Sequence, residues 1–421
     1  MPKQDDSVLG EKPQRSILLL GGSRHQVPAI EAAKRLGYRT VLCDYLPDNP
    51  GQYVADVFYQ ESTTDWELML QIARKEGVSG VLAFGTDVAA PTAAYISEQL
   101  GLPGNPLASV EILSEKHLFR PYLFEHGFNC PKAASLDASS SAADVLNAAA
   151  DMQFPVVLKP TDSSGSRGVT VIEGPDEAAV VRALEFAREF SRNGILELEE
   201  YIQYEFPHLI GGDIFVVDGK VEFWGLMSCL RDTELAALVP VGKAFPAGLS
   251  PQQEAALKDE VQRLVTSLGI KFCEMNLEVI IGCNNTPYIL ELGARAGGNM
   301  IPLQLQDISG IDLIEAAVLC TMGEKPGNVT FDHGDKVIAT SVLHASETGA
   351  FAGVDYAPEL AAHVYRDMVY VNPGDHVEKL NYGSKALGLA FLSFDSEEQM
   401  WDLMDRAPQL IHVRVNPESE A

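Results

Sequence analysis

The chain has no long hydrophobic run. None of its apolar stretches approaches the roughly 20 residues that a membrane-spanning helix needs. Its first residues, MPKQDDSVLGEKPQRS, are polar and carry acids, unlike a signal peptide, and residues 1 to 14 are expected to form a disordered leader. These absences argue against a helical membrane protein and favour a cytoplasmic one.

Basic residues are scarce. Lys and Arg total 31 against 59 Asp and Glu, which leaves a formal net charge of −28 at pH 7. Such a surface repels nucleic acid and anionic membranes, so neither is an expected partner. A polyanionic ligand would need a local positive pocket, which makes the position of each lysine and arginine informative.

Cysteine is sparse, and the familiar glycine-rich nucleotide motifs are missing. The six cysteines are scattered without a Cys-x-x-Cys pair, so we expect buried free thiols rather than disulfides or metal ligands. Neither Gly219-Lys220 nor Gly242-Lys243 is followed by Ser or Thr, which excludes a P-loop. The missing Gly-x-Gly-x-x-Gly fingerprint argues against a nicotinamide oxidoreductase.

Residues 15 to 110 alternate between strand and helix patterns. SILLLGG and RTVLCDY read as buried strands, and VPAIEAAKRLG between them reads as a helix. This alternation predicts an α/β domain with a doubly wound parallel sheet. Ligands of such sheets bind near the carboxyl ends of the strands, which makes Asp87 a candidate substrate residue. Turn and capping chemistry explains that position equally well.

Two further segments follow. Residues 111 to 325 combine helices with strands that turn on Asp218-Gly219, a tight hairpin signal, so their sheet is expected to be antiparallel. Two packed α+β lobes with a cleft between them fit this pattern. Residues 326 to 421 predict a small strand-rich subdomain. The expected fold class is therefore α/β in the first domain and α+β in the rest.

A polar loop, KPTDSSGSRGV, follows the apolar strand FPVVL and covers residues 159 to 169. Its serines supply hydroxyl groups, and its glycines leave backbone N–H donors free of bulky side chains. This composition predicts a mobile turn near residues 160 to 170, and such turns often hold phosphate.

Glu278 and Glu291 stand on two predicted strands joined by the turn GCNNT. Hairpin pairing would place the two carboxylates side by side, where a divalent cation such as Mg²⁺ would neutralise them. The alternative is a pair of exposed carboxylates with no metal. The next residues, GARAGGN, favour a ligand site because Arg295 can hold a phosphoryl group or a carboxylate with two N–H donors.

The order of these features resembles the ATP-grasp superfamily over nearly the whole chain. Lys116 comes first, then Lys159 with its polar loop, then the acidic strand LELEEYI, and then the two glutamates with Arg295. Among its members the chain is most similar to the carboxylate–amine ligases of the carbamoyl-phosphate-synthase-like and L-amino-acid ligase branch. The resemblance implies a pre-ATP-grasp domain, a two-lobed ATP-grasp domain and a C-terminal subdomain.

The resemblance also implies a role for each matching residue. Lys116 and Lys159 would contact ATP phosphates, Glu278 and Glu291 would hold Mg²⁺, and Arg295 with Lys159 would act in catalysis. The residues implied to close over the phosphates are Ser163, Ser164, Gly165, Ser166 and Gly168, and those implied to line the adenine and ribose site are Glu199, Glu200, Ile202 and Glu205.

One position departs from the superfamily pattern. Many members carry an asparagine two residues after the second metal-binding glutamate, where it completes a second metal site, but this chain has Gly293. The resemblance therefore implies one Mg²⁺ site and leaves a second open. Asn299 is a candidate replacement, a substrate residue or a turn residue. His208 is a candidate for positioning the amine, or else a surface residue.

The implied reaction joins a carboxylate to an amine. ATP would phosphorylate a small carboxylic acid or an amino acid to an acyl phosphate, and an amine would then displace phosphate to give an amide or peptide bond. The partners would be these small molecules, and a homodimer is a common arrangement of the superfamily. Two alternatives stay open, a carboxylase that uses bicarbonate as the acid and a non-catalytic nucleotide sensor.

Overall fold

The structure is a computed structural model that describes residues 14–163, 167–232, 239–381 and 383–416. The chain divides into two compact units. The first runs to Gly104 and includes Ile314–Pro326, and the second comprises Asn105–Leu313 and the residues from Gly327 onwards. The predicted four-part division stays a prediction. Ile314–Pro326 packs with the first unit, where Arg15 pairs with Glu324 at 2.7 Å.

The first unit is built on a parallel sheet, as the alternating pattern predicts. Its strand order is β3-β2-β1-β4, and all neighbouring strands are parallel. Helix 66–76 has the start and end signals that the sequence pattern contains. The Asp65 side chain accepts the N–H of Leu68 at its start, and Gly77 ends it with left-handed geometry. The elements are β1 Ser16–Leu20, α1 Val27–Arg35, β2 Arg39–Asp44, β3 Val57–Gln60, α2 Trp66–Glu76, β4 Val78–Leu82 and α3 Ala90–Leu100.

The second unit opens with two helices, α4 (Leu107–Ser114) and α5 (Lys116–Glu125). The sequence pattern predicts one continuous helix here. Glu115 interrupts it with extended backbone geometry, φ −121° and ψ 111°. The break places Lys116 at the first turn of α5, which directs its side chain toward the polar loop after Lys159.

A four-stranded antiparallel sheet carries the strand that ends on Lys159. Its order is β5-β8-β6-β7, and β8 is the predicted acidic strand. Two helices cover it, with Val180, Ala183, Leu184 and Ala187 packed against Leu158 and Leu198. The elements are β5 Ala133–Asp137, α6 Ala142–Ala148, β6 Val156–Pro160, β7 Thr170–Ile172, α7 Glu177–Phe190 and β8 Ile195–Glu200.

The second unit also contains an eight-stranded antiparallel sheet. The elements from residue 209 onwards are β9 Leu209–Val217, β10 Lys220–Arg231, β11 Pro240–Phe245, α8 Pro251–Ser267, β12 Cys273–Gly282, β13 Thr286–Gly293, α9 Ile301–Ser309, α10 Leu313–Thr321, β14 Ile338–Leu343, β15 Gly349–Tyr356, α11 Pro358–Ala361, β16 Val364–Val369, β17 His376–Val377, β18 Gly388–Ser393, α12 Glu397–Asp405, α13 Ala407–Leu410 and β19 Ile411–Asn416, of which α10 falls almost wholly in the first unit. The order of the large sheet is β13-β12-β9-β10-β11-β14-β18-β16. Helix α8 buries a stripe of Leu257, Val261 and Leu264 in the core beneath it.

The C-terminal strands divide between two sheets. Strands β14, β18 and β16 extend the eight-stranded sheet, and β17, β15 and β19 form a separate three-stranded sheet. The predicted fold class, α/β followed by α+β, is confirmed. Across the residues that the structure describes, no helix is both long enough and apolar enough to cross a membrane.

Candidate active site

A cavity of about 320 Å³ lies within the second unit, lined by residues of both its four-stranded and its eight-stranded sheets. Its lining combines aliphatic and charged side chains. Aliphatic side chains suit a flat aromatic ring such as a purine, while cations suit phosphates. The aliphatic side chains include Val157, Val171, Ile202, Leu209, Ile280 and Leu290.

Lys159 is held by a buried ion-pair network on the four-stranded sheet. Its ammonium group pairs with the Glu199 carboxylate, which also accepts the Arg120 Nε–H at 2.8 Å. Burial opposes ionisation of Glu199, but the two cations outweigh it and lower the pKa of Glu199 to about 2. Glu199 is therefore an ionised anchor that places Lys159 at the cavity.

Arg120 also joins this network to the neighbouring sheet. Its two terminal nitrogens donate to the carbonyl oxygens of Ile289 and Leu290, at 3.3 and 3.1 Å. Those residues directly precede Glu291 on β13. The buried Arg120 guanidinium thus links β8, which carries Glu199, to β13, which carries the candidate metal ligand Glu291. Arg120 gives no signal in the sequence, because it lies in an ordinary helix.

Lys116 and Ser163 meet in the lining of the cavity. The Lys116 ammonium donates to the Ser163 carbonyl oxygen at 3.3 Å and lies 3.9 Å from the Glu291 carboxylate. The Ser163 hydroxyl is buried and has no hydrogen-bond partner among the described residues. A buried polar group without a partner is costly, so this hydroxyl is suited to a ligand oxygen.

Glu278 and Glu291 are direct cross-strand partners on β12 and β13, which confirms the predicted hairpin pairing. Burial, together with the neighbouring Glu291 carboxylate, raises the pKa of Glu278. Within the described ranges no group of three or more His, Cys, Asp and Glu residues could hold a metal ion. Two carboxylates alone fit a cation that keeps water and phosphate oxygens as its other ligands, which is the habit of Mg²⁺.

Lys243 is a lysine of this cavity that the sequence analysis did not assign. Its buried ammonium group lies 2.8 Å from the Cys229 Sγ atom on the adjacent strand. It also lies over Gly211, where any Cβ atom would overlap it, and Gly211 is the direct cross-strand partner of Glu278. Lys243 therefore brings a positive charge beside Glu278, as Lys116 does beside Glu291. The only sequence signal is a lysine within an otherwise apolar strand, PVGKAF.

The loop after β13 presents Arg295 and Asn299 to the cavity. Two hydrogen bonds tie this loop to the sheet: the Asn276 N–H donates to the Arg295 carbonyl oxygen, and the Gly297 N–H donates to the Asp213 carboxylate, both at 2.8 Å. A Cβ atom on Gly297 would lie 2.6 Å from the Asp213 carboxylate, so the approach requires glycine.

Most of the predicted site residues lie together in this cavity. Ser164, Gly165 and Ser166 fall outside the described residues. The predicted residues that line it are Lys116, Lys159, Ser163, Glu199, Glu200, Ile202, Glu278, Glu291, Arg295 and Asn299.

Four predicted residues lie elsewhere. The Glu205 carboxylate accepts the Asn285 N–H at 3.3 Å, and the His208 ring stacks on Trp401 with centroids 4.8 Å apart. Gly168 has a φ of 75°, a left-handed backbone conformation that favours glycine, and Asp87 belongs to the first unit. Their proposed ligand contacts stay predictions.

Residues 115–327, more than half of the chain, match the sequence model of a family described as carbamoyl-phosphate synthase L chain, ATP binding domain. The matched segment contains all the charged cavity residues of β6, β11, β12 and β13. It also contains Lys116 at its second position.

Individual proteins are similar in sequence or in fold. Carnosine synthase 1 from Homo sapiens is 24% identical over 317 residues, which make up 70% of this chain and 38% of that protein. The chain thus spans well under half the length of this relative. Two solved structures superpose on 96% of this chain and 100% of their own: L-amino acid ligase from Bacillus licheniformis, with TM-score 0.78 and 19% identity, and phosphoribosylglycinamide synthetase from Anaerococcus prevotii, with TM-score 0.74 and 18% identity.

Proposed function

Because the chain belongs to the family of carbamoyl-phosphate synthase L chain ATP-binding domains, part of the ATP-grasp superfamily, we propose that it is an ATP-dependent carboxylate–amine ligase. The acid substrate is a small carboxylic acid or an amino acid, and the amine is a second small molecule. The products are an amide or peptide bond, ADP and phosphate. The names of two similar proteins, an L-amino acid ligase and a phosphoribosylglycinamide synthetase, support carbon–nitrogen bond formation.

One observation carries the proposal: the lining of one cavity combines aliphatic side chains with two adjacent carboxylates and several cations. The chain as a whole is strongly acidic, with a net charge of −28. The lysine and arginine side chains that line this cavity therefore oppose the general charge of the protein. Such side chains are suited to the triphosphate of ATP and to a carboxylate substrate.

In the proposed complex, adenine lies between the aliphatic side chains, and the phosphates extend toward Lys116, Lys159 and Ser163. Lys159 enters this contact already oriented by Glu199, so little side-chain freedom is lost when it binds phosphate. The unpartnered Ser163 hydroxyl donates to a phosphate oxygen. The fold class and the charged side chains of the cavity lining support this proposal.

Glu278 and Glu291 would hold Mg²⁺, which supplies charge neutralisation for the transferring phosphoryl group. The flanking lysines, Lys116 and Lys243, limit the repulsion between the two carboxylates. With Gly293 in place of an asparagine, one ion is proposed and a second is not required.

Arg295 orients the acid so that a carboxylate oxygen attacks the γ-phosphorus and the bond from that phosphorus to ADP breaks. The resulting acyl phosphate keeps its negative oxygens near Arg295 and Lys159. The amine nitrogen then attacks the acyl carbon, the bond to the phosphate oxygen breaks, and the nitrogen loses a proton. Closing the site during the reaction would limit access of water, which would otherwise hydrolyse the acyl phosphate.

The test is ADP release and hydroxamate formation when the protein is given MgATP, hydroxylamine and a pool of amino acids and small acids. Hydroxylamine converts an acyl phosphate into a stable hydroxamate. We expect hydroxamate that depends on one acid in the pool and is lost in Glu291→Gln. Glu254→Gln, on the exposed face of α8, is the matched control and is expected to keep full activity.

ADP release that depends on bicarbonate, without hydroxamate from any acid, would contradict the ligase and favour the carboxylase. ATP binding without any turnover under these conditions would favour a nucleotide sensor.

A further inference from the structure

Two carboxyl groups outside the metal pair are fully buried against each other. Asp213 on β9 and Glu274 on β12 are 0% and 1% exposed. In the register of these strands Asp213 lies opposite Asn276, and Phe215 lies opposite Glu274. Side chains two residues apart share one face of a strand, so Asp213 and Glu274 are diagonal neighbours on the same face of the sheet.

The two carboxyl groups differ in their hydrogen bonds. Asp213 accepts the Asn276 side-chain N–H at 2.9 Å and the Gly297 N–H at 2.8 Å. Both carboxyl oxygens of Glu274 are buried and accept no hydrogen bond from the described residues. An ionised carboxylate without donors would be very unfavourable there, so Glu274 keeps a proton, which it can donate to Asp213.

The charges that face the pair come from three surrounding segments. Arg295 on the loop after β13 and Lys243 on β11 act on Asp213, and Asp312 before α10 acts on Glu274. Burial and the Asp213 charge raise the pKa of Glu274 well above its ordinary value, and burial raises the pKa of Asp213. The negative charge of Asp312 reinforces the need for a proton on Glu274.

Asp213 is also the point at which the Arg295 loop meets the sheet. Its carboxylate accepts the Gly297 N–H and the side-chain N–H of Asn276. The backbone N–H of Asn276 in turn donates to the Arg295 carbonyl oxygen. The loop then passes through Asn299 with φ at 50°, a left-handed geometry that is unfavourable for most side chains. A loop with this geometry depends on its anchors to keep one conformation.

We propose that Asp213 and Glu274 are a positioning pair that shares one proton and holds the Arg295 loop in its active geometry. This inference rests on the proposed function, because the reaction that Arg295 serves is the proposed ligase reaction. Neither residue touches the substrates. Loss of the shared proton would place two negative charges in contact, and Arg295 would be drawn toward Asp213 instead of the substrate phosphoryl group.

The first test compares two variants of Glu274 in the hydroxamate assay. Glu274→Gln keeps a neutral hydrogen-bond donor of the same shape, so we expect kcat within about twofold of the unmodified protein. Glu274→Met keeps the volume but removes the donor, and we expect kcat to fall by about 10-fold or more with little change in the KM for ATP. Equal losses in both variants would overturn the shared proton.

The second test asks whether Asp213 acts through Arg295. Asp213→Asn can accept only one of the two N–H donors, so we expect a kcat about 10- to 100-fold lower. In an Arg295→Ala background the same change is expected to have little further effect, because the anchored group is already missing. Losses that multiply independently would overturn the positioning role. Circular dichroism and ADP binding confirm that each variant is folded.

A third measurement does not depend on turnover. The unfolded chain loses the Glu274 proton near its ordinary pKa of 4.5, whereas the folded chain retains it at higher pH. The contribution of Glu274 to the stability of the folded state therefore falls as pH rises above 4.5, and Glu274→Gln lacks this loss. We expect the Tm advantage of Glu274→Gln to grow from pH 4.5 to 7. A constant difference would overturn the shared proton, even if every ligase assay failed.

Discussion

Strand β12 carries one member of each of two carboxylate pairs, Glu278 beside Glu291 and Glu274 beside Asp213. The first pair opens on the cavity, with Lys116 on one side and Lys243 near the other. The second pair is sealed, and the Glu274 oxygens accept no donor from the described residues. Two similar carboxylate pairs on the same strand are therefore neutralised differently. Cations reduce the repulsion in the first pair, and a proton reduces it in the second.

Whether a ligand can reach the carboxylate pair decides how the pair is neutralised. A carboxylate pair that borders a cavity can exchange its counter-charge with a ligand, which suits a site that binds and releases Mg²⁺ with a nucleotide. A sealed pair cannot recruit a hydrated ion, so a proton is the smallest available means of neutralisation. The first arrangement suits chemistry, and the second suits a permanent anchor.

The largest expected effect comes from removing one charge of the open pair. Glu278→Gln should lower kcat by about 10³-fold, because one of the two Mg²⁺ ligands is lost. Mn²⁺ binding with ADP present, measured by electron paramagnetic resonance, should weaken in parallel. The same Glu-to-Gln change at Glu274 is the matched control and should leave Mn²⁺ binding unchanged. If both variants bound Mn²⁺ normally, the two pairs would not differ in the way described.

A smaller effect is expected when the sealed pair loses contact with the Arg295 loop. A Cβ atom on Gly297 would lie 2.6 Å from the Asp213 carboxylate and 2.8 Å from the Asn276 side chain. Gly297→Ala should therefore displace the loop and lower kcat by about 10- to 100-fold, with ADP binding retained. Gly174→Ala, at a position that does not line the cavity, is the control, because a Cβ atom there meets no described atom within 4 Å. Equal kcat values in both variants would contradict an anchor at Gly297.

The sequence predicted the parts of the site that depend on local pattern. The Glu278–Glu291 pairing followed from two apolar runs around a short turn, and the strand before Lys159 followed from its composition. Arg120, Asp213, Glu274 and Lys243 were missed for a shared physical reason. Each acquires its role from a strand or helix distant in sequence, and no local periodicity encodes that pairing.

The same limit explains two differences in the fold. The interruption at Glu115 has no helix-breaking residue, so the helical pattern continues through it. Strands β14, β18 and β16 carry no local signal of the sheet that they join. Only long-range pairing joins them to the large sheet, because β14 pairs with β11, β18 with β14, and β16 with β18. Patterns predict the elements, while the partners of each strand depend on the packed structure.

Glu199 is neutralised in a third way, by a buried ion pair with Lys159. The effect expected here, on the pH dependence of ATP affinity, is the smallest. Burial, opposed by the Glu199 carboxylate, lowers the pKa of Lys159 to about 8. Phosphate binds the charged ammonium, so above pH 8 the protein must take up a proton to bind ATP, and affinity should fall by up to about tenfold per pH unit. Calorimetric titration with ATP from pH 7 to 9.5 measures this. Lys159→Arg keeps its charge over that range and should show a flat profile. A flat profile in the unmodified protein would mean that Glu199 keeps Lys159 charged throughout, so that the ion pair, like the shared proton, is a permanent anchor.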